Sequence, residues 1–156
     1  MTVRAFIDEM KTSMDIVWRE TAIDDFLYGN PDIELQNVAV TMMATQEVLK
    51  EAVKRECNLI ITHEPLFYNH HHKFQHLLTD PVLMAKEDYL RTHRLCVFHL
   101  HDNLHQPELE YIATGMMHKL NWGQYRTDDS FRSFSMPDAK LKHLLRDLER
   151  NLEPAA

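Results

Sequence analysis

The sequence predicts an α/β fold, a mainly parallel sheet flanked by helices and built from βαβ units. The alternation of strand-like and helical segments supports this prediction. Three short apolar runs with strand character alternate with amphipathic helices of 10 to 13 residues, in the order β-α-β-α-β-α. This alternation is typical of parallel sheets with right-handed crossover connections. The length of 156 residues suits one domain, so we expect a single α/β domain over residues 1–156.

The N-terminal elements are predicted from capping and periodicity. Thr2 can cap a helix over residues 3–13, because a threonine hydroxyl accepts a hydrogen bond from the first helical turn. A loop is expected over 21–36, with its turn at Gly29–Pro31. The apolar run VAVTMMA then predicts a buried strand over 38–44.

The middle of the chain contains a helix, a strand and a long loop. Thr45 is the predicted N-cap of a helix over 46–56, which leads into a second buried strand over 58–63. The polar segment 63–79 reads as a loop rich in histidine and aromatic residues. Its NHHHK run, residues 69–73, is interpreted as a solvated loop or a subunit contact rather than a metal site, because no strand holds it in place.

The last part of the chain is predicted to be mostly helical. A helix capped by Asp80 over 81–93 precedes a third strand over 95–101. Pro107 then opens a helix to about Leu120. A further strand over 130–136 and an amphipathic helix over 138–152 complete the prediction. The apolar face expected to point inward comprises Leu141, Leu144, Leu145 and Leu148.

Composition and charge exclude several classes of protein. The net charge of −7 argues against a non-specific nucleic-acid-binding protein, which needs a basic face. No apolar run approaches the ~20 residues of a membrane span, and the N-terminus has no apolar core of a secretory signal. Cys57 and Cys96 have no CxxC spacing, so we expect reduced, buried thiols and a cytoplasmic location.

Histidine is concentrated in one window of the chain. Nine of the eleven histidines lie between His63 and His105, where even scatter would place about three. His63 and Glu64 directly follow the second strand, whereas HLHDNLH, residues 99–105, follows the third. Because carboxyl ends of parallel strands meet at one edge of a sheet, both groups should lie near that edge.

These side chains predict a site for a divalent transition metal. Imidazole and carboxylate groups suit Zn, Fe, Mn, Co or Ni. His63, Glu64, His101 and His105 are the candidate ligands, and Asp102 is a candidate hydrogen-bond partner behind a ligating imidazole. Adjacent ligands at 63–64 would need an irregular backbone or two metal ions. The alternative is a polar loop without a metal.

The same residues carry a resemblance to a known family. The segment VAVTMMATQEVLKEAVKRECNLIITHEPLFY resembles the NIF-three-like family, whose members are also called GTP cyclohydrolase 1 type 2 homologues or dinuclear metal centre proteins. The segment HDNLH, residues 101–105, is similar to the family's second block, a strand ending H-T-N-L-D. Residues 136–152 resemble the segment that enters the family's second half.

The resemblance implies a metal site with two substitutions. The family's histidine pair corresponds to His63 and Glu64, and the His and Asp of the second block correspond to His101 and His105. The family's remaining ligands, H-x-x-x-E, belong to a second half that we expect this chain to lack. Water, a neighbouring subunit or His143 would then complete the metal shell.

Two functions remain open from the sequence. One is a metal-dependent hydrolase, cyclohydrolase-like by resemblance, with a mono- or dinuclear site and an unidentified small-molecule substrate. The other is a non-catalytic metal-binding, regulatory or assembly protein. The resemblance also implies a homo-oligomer, a hexamer by family analogy. No nucleic-acid or membrane partner is expected.

Overall fold

The computed structural model organises the chain into two compact units, Met1–Asn103 and Leu104–Ala156. The structure describes residues 1–67, 69–70, 73, 75–106, 111–127 and 133–152. Within these ranges every helix is too short or too polar to cross a lipid bilayer.

The first unit is built around a four-stranded sheet with the order β1-β4-β3-β2. The strands are β1 (Phe26–Tyr28), β2 (Asn37–Thr41), β3 (Cys57–Thr62) and β4 (Cys96–His99). Strands β2, β3 and β4 run parallel, and β1 pairs antiparallel with β4. The predicted α/β class with a mainly parallel sheet is therefore confirmed.

The parallel strands end level with one another. Thr62 of β3 lies opposite Thr41 of β2 on one side and His99 of β4 on the other. The residues that follow β3 and β4 consequently leave the sheet at the same edge.

The helices of the first unit begin where their caps predict. They are α1 (Val3–Ser13), α2 (Gln46–Lys54) and α3 (Pro81–Thr92). The hydroxyls of Thr2 and Thr45 accept backbone hydrogen bonds from their first turns, at 3.2 and 3.3 Å. The carboxylate of Asp80 accepts two, at 2.9 and 3.0 Å. These local contacts explain why sequence spacing located the three helices.

Apolar side chains cover both faces of the sheet. On one face Ile60 packs with Leu49 of α2 and Leu90 of α3. On the other, Phe98 packs with Ile7 of α1. Because successive strand residues point to opposite faces, the unbroken apolar runs of β3 and β4 serve both layers.

Two sequence predictions for strands need correction. The segment 21–36 was expected to be a loop, but it contains β1, a three-residue strand that exists through its pairing with β4. The predicted buried strand 38–44 is the shorter β2, which lies at the sheet edge with Val40 78% exposed.

The described part of the second unit contains two α-helices, α4 (Tyr111–Leu120) and α5 (Leu141–Leu152), and a 3-10 helix, Gly123–Tyr125. The predicted start at Pro107 and residues 130–132 of the predicted strand lie outside the described residues. Within the described part, Phe134 forms only an isolated bridge with Arg126. The expectation that the leucines of α5 point inward is wrong for Leu141 and Leu145, which are 70% and 49% exposed.

Candidate metal centre

The two histidine groups meet at the carboxyl edge of the parallel strands. His63 follows β3 directly and is buried, whereas His101 is two residues beyond the end of β4 and is half-buried. Their rings stack with centroids 4.6 Å apart and an interplanar angle of 26°. The backbone leading to His101 is tied to β3, since Leu100 N donates to Thr62 O at 3.0 Å.

Three histidines form a group that could hold a metal ion. One ring nitrogen from each of His63, His101 and His105 lies within 4.8 Å of the others. His105 is the first residue after the short 3-10 helix Asp102–Leu104. The strand predicted over 95–101 is shorter than expected, because β4 ends at His99 and residues 100 and 101 have no regular secondary structure.

Hydrogen bonds orient two of these imidazoles. His63 Nδ1 lies 3.2 Å from Leu100 O, and a carbonyl oxygen can only accept, so Nδ1 carries the proton. His101 Nδ1 lies 2.9 Å from a carboxylate oxygen of Asp102, which gives the same assignment. In the neutral form of each ring, Nε2 then holds the lone pair that a metal ion can accept. A carboxylate or carbonyl behind a ligating imidazole is the usual supporting contact.

Glu64 lies beside the three-histidine group but is not part of it. Its side chain is half-buried, and Oε2 lies 3.7 Å from His70 Nε2. The adjacent residues 63 and 64 therefore have different neighbours, as expected for successive residues at the end of a strand.

His99 belongs to the same histidine-rich segment and has a structural contact. It is fully buried, and its Nε2 donates to His63 O at 2.9 Å. The chain at the end of β4 is thereby joined to the first residue after β3. This contact fixes the backbone from which the His63 ring projects.

The turn after β4 is shaped by a residue to which no sequence motif pointed. Asp24, which is buried, accepts backbone hydrogen bonds from His101, Asp102 and Asn103. Successive N–H groups pointing at one carboxylate form an anion-binding turn. Asp24 lay in a segment predicted to be a loop, and no local spacing indicated its role.

The donor set fits a divalent transition metal. Three neutral imidazoles suit Zn²⁺ and its neighbours in the first transition row. In a tetrahedral site with metal–nitrogen bonds of about 2.05 Å, ligand nitrogens are separated by about 3.4 Å. The three ligand nitrogens lie within 4.8 Å of one another, so binding requires them to approach by at most about 1.4 Å. Side-chain rotation at the half-buried His101 and His105 can supply that adjustment.

Fold and site together define a class: an α/β protein with a histidine-rich candidate metal centre at the carboxyl edge of its parallel strands. A model of the Duf34/NIF3 (NGG1p interacting factor 3) family matches residues 1–127. The chain belongs to this family, which confirms the resemblance. A comparison with curated protein sequences gave no match.

Solved structures show the same fold at low sequence identity. Staphylococcus aureus protein SA1388 aligns with a TM-score of 0.61 and 20% identity over 78% of this chain and 34% of its own. A Bacillus cereus protein related to NIF3 aligns at 0.62 and 16% identity, over 77% and 32%.

Reduced HcgD from Methanocaldococcus jannaschii is a further structural relative. It aligns with a TM-score of 0.58 and 17% identity, over 96% of this chain and 60% of its own. The chain thus spans about a third of the length of the first two relatives and 60% of HcgD.

Proposed function

We propose that this protein binds a divalent transition metal through His63, His101 and His105. The observation that carries the proposal is the approach of one ring nitrogen from each histidine to within 4.8 Å of the others. Zn, Fe, Mn, Co and Ni all suit this donor set. Membership of the NIF3 family supports the same conclusion.

Each residue of the site has a distinct part in the proposal. His63 and His101 present Nε2, since Nδ1 of each is held by Leu100 O or by Asp102. Asp102 orients the His101 ring and raises its basicity as a ligand. Glu64 is proposed as a further metal ligand. Because it projects to the opposite side of the chain from His63, it favours binding a second ion over sharing one ion with His63.

The first candidate activity is metal-dependent hydrolysis. A bound ion of this type lowers the pKa of water and polarises a substrate oxygen. The chain itself contributes imidazoles held at a partly open sheet edge and a carboxylate, Asp102, beside the His101 ring. The cyclohydrolase activity implied by the family resemblance belongs to this candidate.

The second candidate is a non-catalytic metal-binding, regulatory or assembly protein. It requires only the three-histidine group, because imidazole ligands can hold an ion without a substrate site. Homo-oligomerisation, hexameric by family analogy, fits either candidate. The free, buried thiols Cys57 and Cys96 support a reducing, cytoplasmic environment.

Hydrolysis that depends on metal content separates the two candidates. Metal-free protein is reloaded with increasing amounts of Zn²⁺ or Mn²⁺, and hydrolysis of GTP and of a simple phosphoester is measured at each loading. Turnover that rises in proportion to bound metal supports the hydrolase. Stable metal binding without turnover supports the non-catalytic protein. Absence of metal binding contradicts both.

A further inference from the structure

A cavity of about 420 Å³ opens in the first unit, at the opposite end of the sheet from the candidate metal centre. It lies between the turn that follows β1, the C-terminal end of α3 and Leu95, the residue that leads into β4. Because β1 runs antiparallel to β4, the end of β1 and the start of β4 meet at the amino end of the parallel strands. The described residues that line the cavity include none of the candidate metal ligands, so the two sites are separate.

Much of the cavity lining is apolar. Tyr28 and Ile33, which are both half-buried, line it together with Leu90 and Leu95. The Tyr28 hydroxyl donates to the backbone oxygen of Glu87 at 3.3 Å. Burial and the nearby Glu87 carboxylate raise the pKa of Tyr28, so this wall of the cavity stays neutral. A concave site of this volume with apolar walls is typical of sites for small organic ligands.

Positive charge is concentrated at the same cavity. Arg91 and Arg94, near the end of α3, both line it, whereas no carboxylate is among its described lining residues. Arg91 is already paired with the carboxylate of Asp88, one helical turn earlier. Arg94 has no ion pair within the part of the chain that the structure describes. In a chain with a net charge of −7, one guanidinium without an opposite charge therefore stands at an apolar cavity.

Charge and lining together select the chemistry of a ligand. The planar fork of an arginine side chain matches the two oxygens of a carboxylate. A cationic ligand would be repelled by the two guanidinium groups. An anion without an apolar part would leave the walls in contact with water, and the free energy of burying them would not be gained. A molecule with one carboxylate and a short apolar body satisfies both conditions.

We propose that this cavity binds a small organic carboxylate, with the carboxylate on Arg94 and the apolar body against Tyr28 and Ile33. The site does not depend on metal binding, since the whole of β4 separates Leu95 from the histidine that follows this strand, His101. The protein then has a ligand site at each end of its parallel strands.

Titration of the full chain with hexanoate tests the proposal. The protein is first stripped of metal with EDTA and dialysed, so that a bound ion cannot hold the carboxylate. Binding is located by the backbone amide signals of the three glycines in a two-dimensional NMR spectrum. Gly29 lines the cavity, whereas Gly115 and Gly123 belong to the second unit and serve as internal references. We expect a saturable shift of the Gly29 signal with the other two unchanged.

Related ligands test each part of the recognition. Acetate lacks the apolar body and 1-hexanol lacks the charge, so each should bind at least about tenfold more weakly than hexanoate. 3-Phenylpropanoate distinguishes an aromatic from an aliphatic body, and tighter binding of either carboxylate supports the proposal and identifies that body. Absence of a saturable Gly29 shift with both carboxylates would overturn the site. Equal affinity for hexanoate and 1-hexanol, or for hexanoate and acetate, would overturn the class of ligand.

Variants of Arg94 test the position of the carboxylate. Arg94→Gln should raise the Kd for hexanoate at least about tenfold, and Arg94→Lys should raise it less, because lysine keeps the charge without the fork. The matched control, Lys50→Gln, removes an exposed positive charge of α2 outside the cavity and should leave the Kd unchanged. An unchanged Kd in Arg94→Gln, or an equal loss in Lys50→Gln, would overturn the assignment. The ligand series on the wild type does not depend on the folding of any variant.

Discussion

The Asp24 carboxylate accepts hydrogen bonds from both the backbone and the side chain of Asn103. The carboxylate accepts from Asn103 N at 2.8 Å and from Asn103 Nδ2 at 2.6 Å. The Asn103 side chain also pairs with the backbone of Arg19, at 2.8 Å to its N–H and 2.9 Å to its carbonyl. The segment before β1 thereby positions the turn from which the His101 ring projects.

Replacing Asp24 should affect both stability and metal binding. Asp24→Ala leaves the buried backbone donors of residues 101–103 without their acceptor, so the free energy of unfolding should fall by about 3 kcal/mol. Metal affinity should fall by about tenfold or more, because the support behind a ligating residue is lost. Urea denaturation and metal titration measure the two effects.

Asp25→Ala is the matched control for that variant. Asp25 is exposed, and its carboxylate accepts only a local bond, from Phe26 N at 2.7 Å, among those the structure shows. Its loss should cost less than about 1 kcal/mol and leave metal affinity unchanged. Equal effects of the two alanine substitutions would contradict the role assigned to Asp24.

Gly29 should tolerate no side chain. Its φ is +85°, and an added Cβ would lie 2.3 Å from Leu95 O and 2.8 Å from Cys96 Cα, both backbone atoms. Gly29→Ala should therefore lower the free energy of unfolding by at least about 2 kcal/mol, through the unfavourable φ and the clash. Urea denaturation followed by circular dichroism measures the change.

Gly115→Ala should have the opposite effect on the free energy of unfolding from Gly29→Ala. Gly115 lies within α4, and among the described residues an added Cβ would meet nothing within 4 Å apart from its chain neighbours and the backbone of its own helix. Alanine should stabilise this helix by about 0.5–1 kcal/mol. Destabilisation by Gly115→Ala, or a neutral Gly29→Ala, would show that the local backbone differs from that described.

The buried thiol of Cys96 predicts a loss of stability at alkaline pH. Burial raises the pKa of Cys96 to about 11. The pKa of the folded thiol exceeds that of the unfolded thiol, which is about 8.5. Ionisation therefore does not reduce the stability of the folded state below pH ~8.5, and the full stabilisation is present there. It is lost as the pH rises toward about 11, by on the order of 3 kcal/mol.

Comparison with Cys96→Ala isolates this contribution from other alkaline titrations. The variant should be less stable near neutral pH, since it leaves a small cavity, but its stability should fall less steeply between pH ~8.5 and ~11. Urea denaturation across that range gives both slopes. Parallel curves for the two proteins would refute the prediction.

The exposed leucines of α5 predict self-association through this helix. Leu141 and Leu145 are 70% and 49% exposed and lie four positions apart on one helix, so they share a face. The double variant Leu141→Gln/Leu145→Gln should weaken assembly at least about tenfold, because each buried leucine contributes about 1.5–3 kcal/mol.

Light scattering coupled to size exclusion measures the mass of the assembly over a range of protein concentrations. Arg146→Gln is the control, because it changes an exposed polar residue of the same helix. A monomeric wild type, or a double variant with the wild-type mass at every concentration, would exclude α5 as the contact.

Most of the first unit could be predicted because its signals are local. Caps at Thr2, Thr45 and Asp80 and the apolar runs of β3 and β4 act within a few residues. The parallel order then placed His63 and the segment after β4 at one edge of the sheet. These inferences needed no knowledge of distant contacts.

The missed features depend on contacts between distant parts of the chain. Strand β1 is three residues long and exists through pairing with β4. Asp24 binds backbone groups 77 to 79 residues further along. His70 lies in a polar loop whose composition does not indicate which side chain turns toward the site. Periodicity likewise could not show that the side chains of Leu141 and Leu145 are exposed within the described structure.

Metal content of His63→Ala and His101→Ala, measured against wild type by elemental analysis of purified protein, tests the central claim most directly. The wild type should hold about one to two transition metal ions per chain. Each alanine variant should lose the ion held by the three-histidine group while remaining folded by circular dichroism. Full metal content in both variants would contradict the assignment of this site.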